Sequence, residues 1–279
     1  MRYDTVYLTT DQFKAIIEFD DYHHQGTLER LLTYSYGIRA IQQQEYRNPV
    51  EMLRSSLQSK EKLLLELPLA TEEIDAVCLQ GNGIQYTLLN SSIPKIHTNY
   101  ALCCAYFFLL TKNETASASR VKAFYGNHNY SQKDNLSASA FTKLFLLPEP
   151  SLREMFFKFL SEQNEEDTTL TILAKLMNYY EVPYPFMLTR CYSLGLLESG
   201  NTLETLLQIT PSDIQKEFHR LWLDESLLRP TLKDDYARLL QLVKHTGKTY
   251  LEEEYLHQRT LDLAISNLQS LYKKVREAY

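Results

Sequence analysis

An unbroken run of apolar and aromatic residues, Tyr100 to Leu110 (YALCCAYFFLL), constrains this chain more than any other stretch. It falls well short of the roughly 20 residues a membrane-spanning helix needs. It is also apolar on every side, which a surface helix is not. The run predicts a helix buried on most of its faces, and the rest of the chain must supply the cover.

With 279 residues the chain is long enough to bury such a helix without disulfides or metals. Only 8 glycines occur, about half the usual share of roughly 7%, which disfavours glycine-rich phosphate cradles and turn-dense all-β folds. The expected class is α+β, predominantly helical. Lys and Arg number 29 against 35 Asp and Glu, a net charge of -6, the wrong sign for a protein whose whole surface tracks a phosphate backbone. Cys78, Cys103, Cys104 and Cys191 form no C-x-x-C pair and read as reduced, buried thiols. The opening MRYDTVYLTTDQFKAI has an early acid and no basic or continuous apolar leader segment, so a cytoplasmic location is expected.

Apolar spacing predicts helices over 10–19 and over 26–36, the second capped by Thr27 and closed by Gly37, with 38–43 extended after it. Asn48-Pro49 opens another helix through Met52, Leu53 and Leu57. Segments 74–80 and 84–89 flank Gly81-Asn82-Gly83, a hairpin signal because these residues tolerate positive φ. The small, polar stretch 113–131 predicts a loop. A helix over 136–147 stops before Pro148, and Ser151 caps the next. Glu165, Glu166 and Asp167 mark a solvated turn before a helix, turn, helix unit over 168–180 and 186–194, closed by Gly195. Helices are then expected over 202–208, 211–228, 231–245 and 249–277. This gives three regions: 1–164, a helix-turn-helix-like closing unit 165–200, and a C-terminal helical region 201–279.

The order of these pieces resembles the ImmA/IrrE family of zinc metallopeptidases over about residues 26–198. Strands ending in Leu88-Leu89-Asn90, then HTNYALCCAY, resemble a strand closing on Asn followed by F-T-x-A-H-E-x-x-H, with Thr98 one residue further from Ala101 than that pattern has it. NLSASAFTKLFLLPEPSLREMF (135–156) is similar to E-x-x-A-N-x-F-A-x-x-L-L-x-P-x-x-x-L, and LAKLMNYYEVPYPFMLTRCYSLGLL (173–197) looks like the closing L-A-x-x-F-x-V-S unit. The resemblance implies a gluzincin-like core with a small antiparallel sheet. It also implies a partner, a helix-turn-helix repressor of a mobile element or stress regulon.

A gluzincin site needs two His one helical turn apart, a Glu as general base and a third ligand from another helix. Matching Ala101 to the family's alanine puts Leu102 at the first His, Cys103 at the Glu, Tyr106 at the second His and Asn135 at the third ligand. None keeps its chemistry, so the peptidase reaction is expected to be absent and no cofactor is called for. Zinc enters only if an active enzyme uses other ligands; a thiol hydrolase using Cys103 is the remaining enzymatic alternative. His97, Cys103, Cys104 and His128 are the other metal-competent types nearby. Cys103 and Cys104 point about 100° apart and His97 lies about 240° round the helix from Cys103, so a shared ion is disfavoured.

His23-His24 and Glu252-Glu253-Glu254 read as solvated. Lys175 and Arg190 are the sole basic residues between Thr168 and Leu197, so direct DNA contact by that unit is not expected. Twenty tyrosines, among them Tyr22, Tyr34, Tyr36, Tyr125, Tyr130, Tyr179, Tyr180, Tyr184 and Tyr192 near the former cleft, suit a protein interface. The expected function is a non-catalytic regulator or adaptor that holds a protein partner, with oligomerisation through 201–279 a further possibility.

Overall fold

The computed structural model describes residues 6–22, 33, 49–58, 62–69, 71, 73–81, 84–111, 120–125, 133–197 and 200–277. The helix expected over 26–36, apart from Thr33, the extended 38–43, His23-His24, His128, Tyr34, Tyr36 and Tyr130 lie outside them, as do the side chains of Tyr22, Tyr125 and Asn135.

The chain is α+β and mostly helical. Helices α1 (Thr10–Tyr22) and α2 (Pro49–Ser56) precede β1 (Lys62–Leu67), β2 (Ile74–Gly81) and β3 (Ile84–Asn90). The central helix α3 (Lys95–Thr111) follows, then β4 (Arg120–Tyr125) and α4 (Lys133–Leu146). The four strands are ordered β1-β3-β2-β4. β2 and β3 form the expected antiparallel hairpin, paired as far as Gly81 and Ile84. β1 runs parallel to β3, Lys62 opposite Gln85 and Leu67 opposite Asn90. β4 is antiparallel to β2, with an irregularity between Ile74 and Ala76. The sheet is therefore mixed, not the small antiparallel sheet that the resemblance implies, because β1 joins it parallel to β3; two strands also go beyond the expectation, Lys62–Leu67 with no strand expected there and Arg120–Tyr125 in the stretch expected to be loop.

Helix α3 lies on β2 and β3 and packs against α4 on its other side. Leu102, Cys103 and Ala105 are fully enclosed, as the apolar run demands. Phe141 and Phe145 of α4 join them in one core. Among the described residues no helix is long and apolar enough to cross a membrane.

Helices α5 (Glu149–Ser161), α6 (Thr169–Tyr180) and α7 (Tyr184–Ser193) come next. Pro148, not Ser151, stands at the N-cap of α5, and Pro150 suits a first turn whose N–H groups lack partners. The acidic turn is not wholly solvated, since Asp167 pairs with Arg220 at 3.0 Å and Lys175 at 3.8 Å. In α7 every residue from Tyr184 to Cys191 is buried. The second helix of the helix-turn-helix-like unit therefore has no free face to lay in a groove. Its basic residue Arg190 is buried and its Nε donates to the carbonyl of Leu147.

The C-terminal region divides where the sequence pattern runs on. Helices α8 (Asn201–Leu207) and α9 (Pro211–Arg220) and a short 3-10 turn (Glu225–Leu228) send Leu206, Leu207, Ile214, Phe218 and Leu227 into the main core. The helix expected over 211–228 is broken at Trp222, whose φ is +54°. Residues 229–235 form a non-helical strap, with Leu232 in the left-handed region at φ +50°, instead of the start of a helix. Helices α10 (Tyr236–Glu252) and α11 (Gln258–Glu277) follow as an antiparallel hairpin with a turn at 253–257, where a helix from 249 was expected.

Candidate functional site

The residues that carry the family resemblance converge at the entry to α3. Asn90 closes β3, and its side-chain oxygen accepts the backbone N–H groups of Leu69 and Ser92 at 3.1 and 3.0 Å. Its amide nitrogen donates to the carbonyls of Thr71 and Ile74, both at 2.8 Å. One buried side chain thus satisfies four backbone groups and pins β1, β2 and the β3–α3 loop together. The Thr98 hydroxyl donates to the Asn90 carbonyl at 3.2 Å, fixing the first turn of α3 on this hub.

One turn further along α3, the side chains at the positions implied to be catalytic face the interior. Leu102 and Cys103 are fully buried, and Tyr106 is buried with its ring 6.5 Å from that of Phe145. Burial pushes the Cys103 thiol well above its ordinary range, with Cys104 adding to the rise. The nearby Arg54 guanidinium opposes it without prevailing. A thiol held protonated and away from water is a poor nucleophile. Cys104 rests 3.5 Å from the Thr142 hydroxyl, and burial pushes its thiol up to about 12. Asn135 falls in α4, which packs on α3.

His97 is buried two residues before Asn99, and burial pushes its imidazole down to about 4, so it is neutral at physiological pH. Among the described residues no three His, Cys, Asp or Glu side chains converge so as to hold a metal ion. His97, Cys103 and Cys104 are therefore not brought to one point.

The structure does gather a polar network that the sequence reading missed. Asn99, almost completely buried, donates through its amide nitrogen to Glu181 at 2.8 Å, and its oxygen lies 3.4 Å from the Arg54 guanidinium. Arg54 is hydrogen-bonded to the buried carboxylate of Glu66, which also accepts from Lys233 at 2.9 Å. Lys95 lies 4.0 Å from Glu181 on the solvent side. Five segments contribute, and the Arg54 and Glu181 side chains remain a quarter exposed. The network seals one end of α3 while keeping charged groups of both signs at the surface.

No protein-family model matches the sequence, and neither a curated protein nor a solved structure matches the chain.

Proposed function

We propose that this chain is a non-catalytic regulator or adaptor of the ImmA/IrrE type, cytoplasmic, which binds a protein partner such as a helix-turn-helix repressor of a mobile element or stress regulon. The finer reading of its α+β fold is a gluzincin-like core, supported by the succession of paired strands, the Asn90 hub and the helix α3 laid on the sheet. One observation carries the proposal. Leu102, Cys103 and Tyr106, at the positions implied to be first ligand, general base and second ligand, serve as core packing. An apolar side chain cannot hold an ion, and a buried, protonated thiol cannot take a proton from water. Recognition then falls to the surface around this point, where Arg54, Lys95 and Glu181 offer charges to a partner.

The test combines metal content with the fate of the partner. The chain is purified without chelator, and a repressor cross-linked to it in cells is identified and produced separately. The expected result is zinc far below one ion per chain and a complex in which the repressor stays intact. Near-stoichiometric zinc together with cleavage of the repressor overturns the proposal.

A further inference from the structure

We propose that the outer edge of β1 and the β3–α3 loop form a binding groove for a non-helical protein segment that carries a Lys two residues before an Asp, and that the strap 229–235 fills this groove as an internal competitor. The proposal does not rest on the regulator reading, because the groove is defined by contacts the chain already makes with itself.

A strand at the edge of a sheet presents N–H and C=O groups with which a further segment can pair. On β1 the strap takes that place. The Lys95 N–H at the start of α3 donates to the Arg229 carbonyl at 3.0 Å, and Pro94 faces Pro230 in an isolated antiparallel bridge. The Leu232 N–H donates to the Ser91 carbonyl at 3.0 Å, and the Ser91 hydroxyl donates to the Lys233 carbonyl at 2.6 Å. These contacts use the strap's backbone alone, so they admit many sequences. Two side chains supply the selection. Lys233 Nζ donates to the buried Glu66 carboxylate at 2.9 Å, and the Asp235 carboxylate accepts the Glu66 N–H at 2.9 Å. The groove side of these contacts is rigid, since Ser91 and Glu66 are buried and Arg54 holds the Glu66 carboxylate from behind. A segment that binds therefore orders itself and not the groove.

The strap is seated lightly. Residues 229–234 are all exposed, so lifting them uncovers little apolar surface. Leu232 holds a φ of +50° while its side chain is 54% exposed, a strained backbone with little burial in return. Of the hairpin that follows, Gly247 and Leu261 are the buried residues, and they pack on each other. What keeps the strap in place is its tether at both ends, which holds it at an effective concentration on the order of millimolar. A segment from another protein competes with that tether, and its apparent affinity falls by the fraction of chains in which the strap is lifted. The strap thus sets the threshold for binding.

The test uses a synthetic peptide of residues 229–235 with capped ends, titrated into the nitrogen-15-labelled full chain while the amide signals of Glu66, Ser91 and Lys95 are followed. Two full-length variants weaken the internal strap without touching the core. Lys233→Ala with Asp235→Ala removes its two side-chain contacts. Leu232→Pro removes the N–H given to Ser91 and forbids the left-handed backbone. The peptide should bind either variant about tenfold or more tighter than it binds the parental chain, moving those three signals and leaving those of α6 in place. The same peptide with Lys233→Ala and Asp235→Ala should bind about tenfold more weakly. Signals that stay fixed in both variants at millimolar peptide, equal affinity for the parental chain, or indifference to the peptide's Lys and Asp overturns the proposal.

Discussion

Asp75 lies where the β2 and β4 registers slip, and burial pushes its carboxyl from an ordinary 3.8 up to about 8. Burial pushes the His97 imidazole the other way, from 6.5 down to about 4. Both are neutral in the folded chain near pH 7, with opposite consequences for stability. Between about 4 and 8 the folded chain keeps a proton on Asp75 that the unfolded chain has lost, so stability falls as pH rises. Between about 4 and 6.5 the unfolded chain carries a proton on His97 that the folded chain lacks, so stability rises with pH. Each slope approaches about 1.4 kcal/mol per pH unit. The two cancel up to about pH 6.5, above which Asp75 alone remains and stability declines toward pH 8. Urea unfolding of Asp75→Asn should show that decline removed, and His97→Gln should show it extended down to about pH 4. An unchanged pH profile in Asp75→Asn contradicts this account. Glu181 offers a second measurement, because its φ of +52° lies in the left-handed region and its carboxylate accepts from buried Asn99. Glu181→Ala should cost about 1–2 kcal/mol through the lost hydrogen bond. Glu181→Gly should cost about 1 kcal/mol less, since glycine relieves the backbone strain. Equal urea midpoints for the two variants would remove strain from the explanation.

Among the elements, those with a local signal were legible in the sequence. The β2–β3 hairpin follows from alternation around Gly81-Asn82-Gly83, and α3 from an apolar run too long for a strand. β1 (KLLLEL) has no such signal, since a short apolar run reads equally as helix; its state comes from parallel pairing with β3 more than twenty residues away. β4 (RVKAFY) is an edge strand inside a polar stretch, with Val121 65% exposed. The network of Arg54, Glu66, Asn99, Glu181 and Lys233 was illegible for the same reason. Each residue is ordinary where it stands, and the fold alone makes them neighbours. The resemblance led to Leu102, Cys103 and Tyr106, which the fold places one turn deeper than this network. The outer edge of β1 shows a further long-range pairing. The Glu66 N–H donates to the Asp235 carboxylate at 2.9 Å, and the Asp235 N–H donates back to the Glu66 carbonyl at 2.9 Å. Ser91 adds two contacts, accepting from Leu232 N–H at 3.0 Å and donating to the Lys233 carbonyl at 2.6 Å. Residues 229–234 are all exposed, so polar contacts rather than apolar burial hold the strap on the sheet edge. Asp235→Ala should therefore raise hydrogen exchange at the Glu66 amide about tenfold while leaving the amides of α3 unchanged. Equal acceleration across both elements would mean that the strap supports the whole core.

At the scale of the whole molecule, the boundary expected near 201 does not separate two bodies, because the core crosses it. Ile214 and Phe218 are fully enclosed, and Leu206, Leu207 and Leu227 are buried in the same cluster as Phe141 and Leu102. Tyr184 in the middle of that cluster donates its hydroxyl hydrogen to the Leu206 carbonyl at 2.8 Å. A chain ending at Ser199 loses all five apolar side chains. At about 2–5 kcal/mol for each large side chain removed from a core, the loss of about 10–25 kcal/mol is as large as or larger than the roughly 5–15 kcal/mol that holds a typical domain together. A chain ending at Asp235 keeps all of them, together with the strap that covers the edge of β1, and gives up helices that contribute Gly247 and Leu261 as their buried residues. The Asp235 truncation should unfold cooperatively, with a melting temperature within a few degrees of the full chain. The Ser199 truncation should show no cooperative transition. Thermal scans by near-ultraviolet circular dichroism decide between this division and the one at 201, since a cooperative melt from the shorter chain would place the end of the core before α8.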